Sequence, residues 1–223
     1  ANTDDDEDEE NDLVEESILD LATSRFRANR MLKWHYRSRH ESLIDFSNHH
    51  FYQNQLIIPP SPITTSAVTT TKVDAYYKGK INIQEKDKLI KDIIPFMSTN
   101  IRKGDGDKKS KSCLIVTMNI FQAESIEDDL NKKKLEYPVI EEYENSWKDT
   151  GEEFTVKNLE SVQGDERDVI FISTLFGPEK PGAKVKQTFG PINNKGGQRR
   201  LNVLFTRARQ NLHLYTSLSS NDV

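Results

Sequence analysis

Short apolar runs alternate with amphipathic helical stretches along this chain, and that alternation limits its fold more than any other feature. Leu114–Thr117, Val169–Thr174 and Leu212–Thr216 read as strands, the first two of them buried. Val73–Tyr77 and Phe154–Lys157 read as further strands. Between them lie segments with helical periodicity. Glu41–Tyr52 turns Leu43, Ile44, Phe46 and Phe51 inward, and Glu85–Asn100 carries Leu89, Ile90, Ile93, Ile94 and Met97 on one side. Phe121–Lys134 and Asn202–Arg209 complete the set. Strands separated by helices imply βαβ units, hence an α/β fold with a largely parallel central sheet flanked by helices.

The remaining stretches connect or precede these elements. Leu13 to about Arg30 has helical spacing, and Trp34–Arg39 is a short polar-aromatic segment. Pro59–Pro62 is an extended connector. Residues 102–112 and 178–198 are polar or rich in Gly and Pro and, with residues 1–12, are expected to be the least ordered parts. Residues 1–16 hold ten acidic side chains and no base. The net charge of −5 therefore hides a body with 31 basic against 26 acidic groups, a balance that suits a polyanionic partner. The acidic run, residues 1–12, reads as a disordered, solvated segment, and residues 13–223 as one domain. No apolar run approaches the roughly 20 residues needed to cross a bilayer. The lone Cys113 opens an apolar run and reads as a buried thiol in a reducing compartment, which makes a cytoplasmic location the expectation.

Several chemistries are excluded or disfavoured. No Gly-x-x-x-x-Gly-Lys-Ser/Thr occurs, so this stretch has no phosphate-cradling loop of that type. No Gly-x-Gly-x-x-Gly supports a dinucleotide-binding enzyme. His35, His40, His49 and His50 have no cysteine or carboxylate at structural-zinc spacing, and no metal site is expected. Trp34, Phe46, Phe51 and Tyr52 read as core and hinge packing rather than a base-stacking platform. What stands out instead is a polar turn entering a buried strand, Ser161-Val-Gln-Gly-Asp-Glu166, and an arginine-dense segment with an apolar face, Arg199–Arg209. Such features serve phosphate chemistry.

These residues carry a resemblance. Tyr36-Arg37 followed by Phe46-Ser-Asn-x-x-Phe-Tyr52 resembles motif IV of superfamily 1 helicases, although the stretch reads His-Tyr-Arg-Ser-Arg-His where Gln-Tyr-Arg-Met-His-Pro is common. Ser161–Glu166 resembles motif V, and Arg200–Arg209 resembles motif VI. Thr117 and Gln122 are similar to an extra motif between IV and V. The branch is that typified by the nonsense-mediated decay RNA helicase, with bacterial multidomain AAA-type members nearer still. The resemblance covers about residues 13–218.

The resemblance implies the second, C-terminal RecA-like domain of an ATP-dependent DNA or RNA helicase or translocase. The phosphate-cradling loop and the carboxylates that hold Mg2+ for ATP then belong to a first RecA-like domain, expected to precede this stretch. The isolated domain is expected to be inactive. Arg207 and Arg37 are the expected catalytic contacts to the γ-phosphate. Tyr36 stacks on the base or packs beneath Arg37. Gln163, Gly164 and Glu166 are expected at the nucleotide, and Thr117, Ser161 and Arg209 at single-stranded nucleic acid. Arg199 and Arg200 serve either ligand or only solvent. Tyr36, Arg37, Glu166 and Arg207 are expected to converge at one sheet edge, near strand C-termini, with Arg209 turned away from Arg207 on a shared helix. The competing reading is a non-catalytic module that grips nucleic acid or a partner without turnover.

Overall fold

The computed structural model describes residues 30–194, 196–219 and 222, together with Ala22, Arg25 and Phe26. The acidic run and most of the helix expected over Leu13–Arg30 lie outside them. The chain divides into two units, residues 1–34 and 35–223. The second holds the sheet and its flanking helices.

Five parallel strands form one sheet. They are β1 (Val68–Lys72), β2 (Cys113–Thr117), β3 (Thr155–Asn158), β4 (Arg167–Ser173) and β5 (Ala208–Thr216), in the spatial order β1-β5-β4-β2-β3. The helices are α1 (Ser42–Phe51), α2 (Ile83–Thr99), α3 (Ile120–Lys133), α4 (Val139–Trp147) and α5 (Gly197–Phe205), with a short 3-10 turn at Gly190–Ile192. This is an α/β fold of the RecA-like type. Every residue of β2 and β4 is buried, as expected for central parallel strands covered on both sides.

Side chains alternate between the faces. Leu114, Val116, Ile170 and Ile172 point to a core shared with Leu43 of α1 and Leu204 of α5. Cys113, Ile115, Val169 and Phe171 point to the opposite core, with Leu89, Ile93 and Met97 of α2, Ile126 and Leu130 of α3, and Ile140, Tyr143 and Trp147 of α4. Burial pushes the Cys113 thiol up to about 12, so it stays protonated and unreactive. Among the described residues no helix is long and apolar enough to cross a membrane.

Two expected boundaries are corrected, and one helix was not expected at all. The first strand is Val68–Lys72, not 73–77: its threonines, β-branched and suited to a strand, are polar and give no apolar signal. Val73 makes one further bond, to Thr216 O at 2.8 Å, before the chain leaves the sheet. The helix at Val139–Trp147 was hidden by its glutamates, although Ile140, Tyr143 and Trp147 bury one stripe. The last helix ends at Phe205, where the Thr206 hydroxyl donates to Asn202 O and Val203 O, both at 3.0 Å. Arg207 therefore lies in the turn and Arg209 in β5, so no helical rotation separates the two.

At the C-terminal ends of the strands a buried polar hub closes the sheet. Glu85 accepts from Ser173 Oγ at 2.6 Å, Leu175 N at 2.7 Å and Ser217 Oγ at 3.1 Å. These bonds hold Leu175 in a left-handed conformation (φ 69) that L side chains rarely adopt. Burial nevertheless raises the Glu85 pKa, because these donors only partly replace water.

Candidate functional site

Because all five strands run the same way, the sheet has one N-terminal and one C-terminal edge. The arginine cluster lies at the N-terminal edge. Glu166 immediately precedes β4, and Arg207 immediately precedes β5. The expected position near strand C-termini is thus corrected. The polar turn 161–166 leads into a strand rather than out of one, and α5 runs back along the sheet to deliver Arg207 where β5 begins.

Arg37 reaches this edge from the segment before α1. The Arg39 N–H donates to Arg209 O at 2.8 Å and fastens the segment to the start of β5. His35 supports the turn: its Nε2 accepts from Ser38 N at 3.2 Å. Burial and the neighbouring Arg37 charge lower the His35 pKa, keeping that nitrogen free to accept. The Arg37 Nε lies 2.8 Å from Glu166 Oε2 as an ion pair, and Nη1 donates to Thr206 O at 3.3 Å. The Nε–Glu166 contact is not aligned as a hydrogen bond, so the Nε–H has no acceptor.

Arg207 is in a different state. Its Nε donates to Val203 O at 2.8 Å and Nη1 to Asp165 O at 3.4 Å, and both acceptors are neutral carbonyls. No carboxylate pairs with it among the described residues. Burial, then the charge of Arg37, lower its pKa below the ordinary arginine value, opposed by Glu166 and Asp165. It remains a cation, but one whose charge is poorly compensated.

Arg209, two residues on, is saturated with carboxylates. It donates through Nη1 to Glu152 Oε1 at 2.8 Å and through Nε to Asp168 Oδ1 at 3.1 Å, while Nη2 makes the second bond to Glu152. Glu166 lies farther off at 3.7 Å. The Glu152 hydrogen bonds, first among several causes, raise the Arg209 pKa further. Glu152 is itself half-buried, and although burial works against it, the Arg209 and Ser112 hydrogen bonds hold its carboxyl below the usual range. Arg209 therefore sits at the arginine edge, on the opposite side of the sheet from Thr117 and Ser161. Sequence reading missed Glu152, Asp168 and Ser112. They stand 57, 41 and 97 positions from Arg209, and no local spacing reveals them.

The turn into β4 is built to present its polar groups. Gly164 has φ +93 with open space where a Cβ would stand, so the backbone angle rather than crowding calls for glycine. Arg167 clamps the turn from below, donating to Glu153 O at 2.7 Å and Glu166 O at 2.8 Å. Gln163 is exposed, and Tyr36 is 82% exposed beside Arg37.

Thr117 ends β2 and Ser161 follows β3, so both belong to the C-terminal edge. Thr117 is fully buried, and its hydroxyl donates to Asn119 O at 2.6 Å. Ser161 is exposed, with its hydroxyl on Asn158 Oδ1 at 2.9 Å. Gln122 is internal: its Nε2 donates to Asn82 O at 3.1 Å and Ser173 Oγ at 3.2 Å. Phe46 packs edge-on against Phe205 at 4.9 Å, joining α1 to α5. Among the described residues no three His, Cys, Asp or Glu side chains gather as metal ligands.

Comparison with known proteins adds two findings. The family model described as AAA domain matches residues 14–218. A Mycoplasma genitalium protein, named as an uncharacterized ATP-dependent helicase, is 32% identical over 210 residues. Its Mycoplasma pneumoniae homolog is 31% identical over 210 residues. Each alignment covers 92% of this chain and 18% of the relative, so the chain spans under a fifth of the curated relatives it matches.

Proposed function

The chain belongs to the AAA domain family, and from that membership we propose that it is the second RecA-like motor domain of an ATP-dependent helicase or translocase acting on single-stranded nucleic acid. One observation carries the reading. Arg207 is a half-buried guanidinium with only carbonyl partners, beside a second arginine, Arg37, that is ion-paired to the single carboxylate of Glu166. A purely structural arginine would resemble Arg209, matched to carboxylates on every side.

ATP supplies the phosphoryl group that is transferred to water. Arg207 and Arg37 provide positive charge where negative charge spreads over the phosphoryl oxygens. Removing such an arginine costs about 10³–10⁵ in rate in related systems. The planar fork of Arg37 can exchange Glu166 for phosphate oxygens without rebuilding the turn that aims it. Glu166, once released, becomes an acceptor for ribose hydroxyls. Tyr36 offers an exposed ring to the base, and Gln163 and Gly164 offer polar groups from the same turn. Magnesium is assigned to carboxylates of the first RecA-like domain, the partner across the cleft. Arg209 is reassigned from nucleic acid to holding the edge rigid.

Nucleic acid is assigned to the C-terminal edge, through the Ser161 hydroxyl and the backbone beside Thr117. The segment from Leu159 to Glu166 crosses from that edge to the arginine edge in eight residues, anchored by buried Leu159 and Val162. It is a short mechanical link between the two ligands. The test is ATP hydrolysis by the whole protein with and without single strands. Stimulation by single strands, lost in Arg37→Ala, is expected. Hydrolysis indifferent to both would refute the reading.

A further inference from the structure

The C-terminal edge carries a pair of side chains to which nothing above gives a role. Lys80 Nζ lies over the Phe121 ring, 4.1 Å from its centroid. Phe121 is 43% exposed, and its neighbour Ile120 and, three residues after Lys80, Ile83 are exposed as well. The lysine comes from a tight turn closed by Lys78 N to Ile81 O at 2.9 Å and Ile81 N to Lys78 O at 3.2 Å. Asn119 fixes that turn to the end of β2, donating from Nδ2 to Lys80 O at 2.9 Å. The same Asn119 receives the Thr117 hydroxyl on its carbonyl and caps α3 by accepting from Gln122 N at 2.8 Å. Lys80, Thr117 and Phe121 are thus held together through one asparagine.

The turn has left-handed backbone at both central residues, Gly79 at φ 60 and Lys80 at φ 73. Glycine fits the first without cost. The second also favours glycine, yet a lysine occupies it. A side chain kept against backbone preference points to a use for that side chain. The ammonium lies over a ring that is itself exposed, so the contact does not bury the lysine tip in a core.

We propose that Lys80 and Phe121 form a nucleotide-binding step for single-stranded nucleic acid, in which a base stacks on Phe121 and the Lys80 ammonium moves from the ring to the adjoining phosphate. The inference rests on the motor reading above and adds to it a specific contact on the C-terminal edge. An exposed cation–π contact is weaker than base–aromatic stacking, so the exchange is favourable. The contact reads no sequence, because every base has a π face.

The experiment measures binding of labelled oligothymidylate and oligouridylate, about 16 nucleotides long, to the whole protein at several salt concentrations. Phe121→Ala is expected to weaken binding by about 5- to 150-fold, with Phe121→Trp retaining it. Lys80→Gly is expected to weaken binding and to lower the log–log salt slope by about 0.7, while its unfolding midpoint holds or rises because the turn is relieved. If the unaltered protein binds and both Phe121→Ala and Lys80→Gly bind equally well, this inference is overturned and the motor reading stands. A Lys80→Gly protein that unfolds earlier yet binds normally shows the lysine to be structural and likewise overturns the inference. If the unaltered protein binds neither strand, the motor reading falls and takes this inference with it.

Discussion

Arg207 and Arg209 are two residues apart but have opposite surroundings, carbonyls around one and carboxylates around the other, so their alanine variants should part company. Arg209→Ala removes a bidentate pair with Glu152 and a bond to Asp168. The side chains involved are only 10–29% exposed. Exposed pairs contribute about 0–1 kcal/mol, and breaking a fully buried one costs about 3–5 kcal/mol. This intermediate case should cost about 2–3 kcal/mol, and a domain of this size loses roughly 2–4 °C of midpoint per kcal/mol. The expected fall is therefore about 4–12 °C. Arg207→Ala loses one good hydrogen bond to a carbonyl and one long one at 3.4 Å, worth about 1.5 kcal/mol together. Its midpoint should move by no more than about 6 °C. Activity should order the other way, with Arg207→Ala the more damaging to hydrolysis in the whole protein. Thermal unfolding followed by circular dichroism, paired with steady-state hydrolysis, reads both. The Arg209 contribution has a pH signature. Glu152 is held below its ordinary value, so its share is fully present above about pH 4.5 and fades as pH falls through the lower folded value. An Arg209→Ala protein as stable as the original, or an Arg207→Ala protein destabilised equally, would refute the division.

Other outcomes follow from the same geometry. The isolated chain should hydrolyse no ATP and bind it weakly, because half the phosphate contacts and the magnesium ligands are assigned to the partner domain; calorimetric titration giving micromolar affinity would contradict this. His35 has a folded pKa below its ordinary 6.5, so its support for the Arg37 turn should be complete above that pH and weaken as pH falls below it. Faster hydrogen exchange of the Ser38 amide at pH 5.5 than pH 7.5, after correction for intrinsic rates, would report it. Gln122→Ala should cost about 1–3 kcal/mol in denaturant unfolding by stranding buried groups of Asn82 and Ser173, and a neutral result would deny Gln122 its internal role.

The central strands and amphipathic helices were legible because burial on both faces leaves continuous apolar runs such as Cys113–Val116, and because Leu89, Ile93 and Met97 keep helical spacing. The edge strand was not, since Thr69–Thr71 pair with β5 by backbone and their polar side chains break the apolar pattern, with Thr69 and Thr70 exposed. Arg37, Glu166 and Arg207 could be named from local motifs, and they do gather. Which sheet edge they occupy, and that Arg209 lies in a strand, depended on where α5 stops. That stop is set by the Thr206 hydroxyl turning back on α5, which propensity along Asn202–Arg209 does not show. The partners of Arg209 and the seat of Lys80 over Phe121 are long-range, assembled only by the fold.

Arg207 is proposed to act on the phosphoryl group in flight rather than on bound nucleotide. The most direct measurement compares the affinity of the whole protein for ADP with aluminium fluoride, which mimics that transition state, against its affinity for ADP alone, before and after Arg207→Ala. A transition-state contact predicts that the mimic weakens by about 10²-fold or more while ADP binding changes little. Equal weakening of both ligands, or of neither, would contradict it.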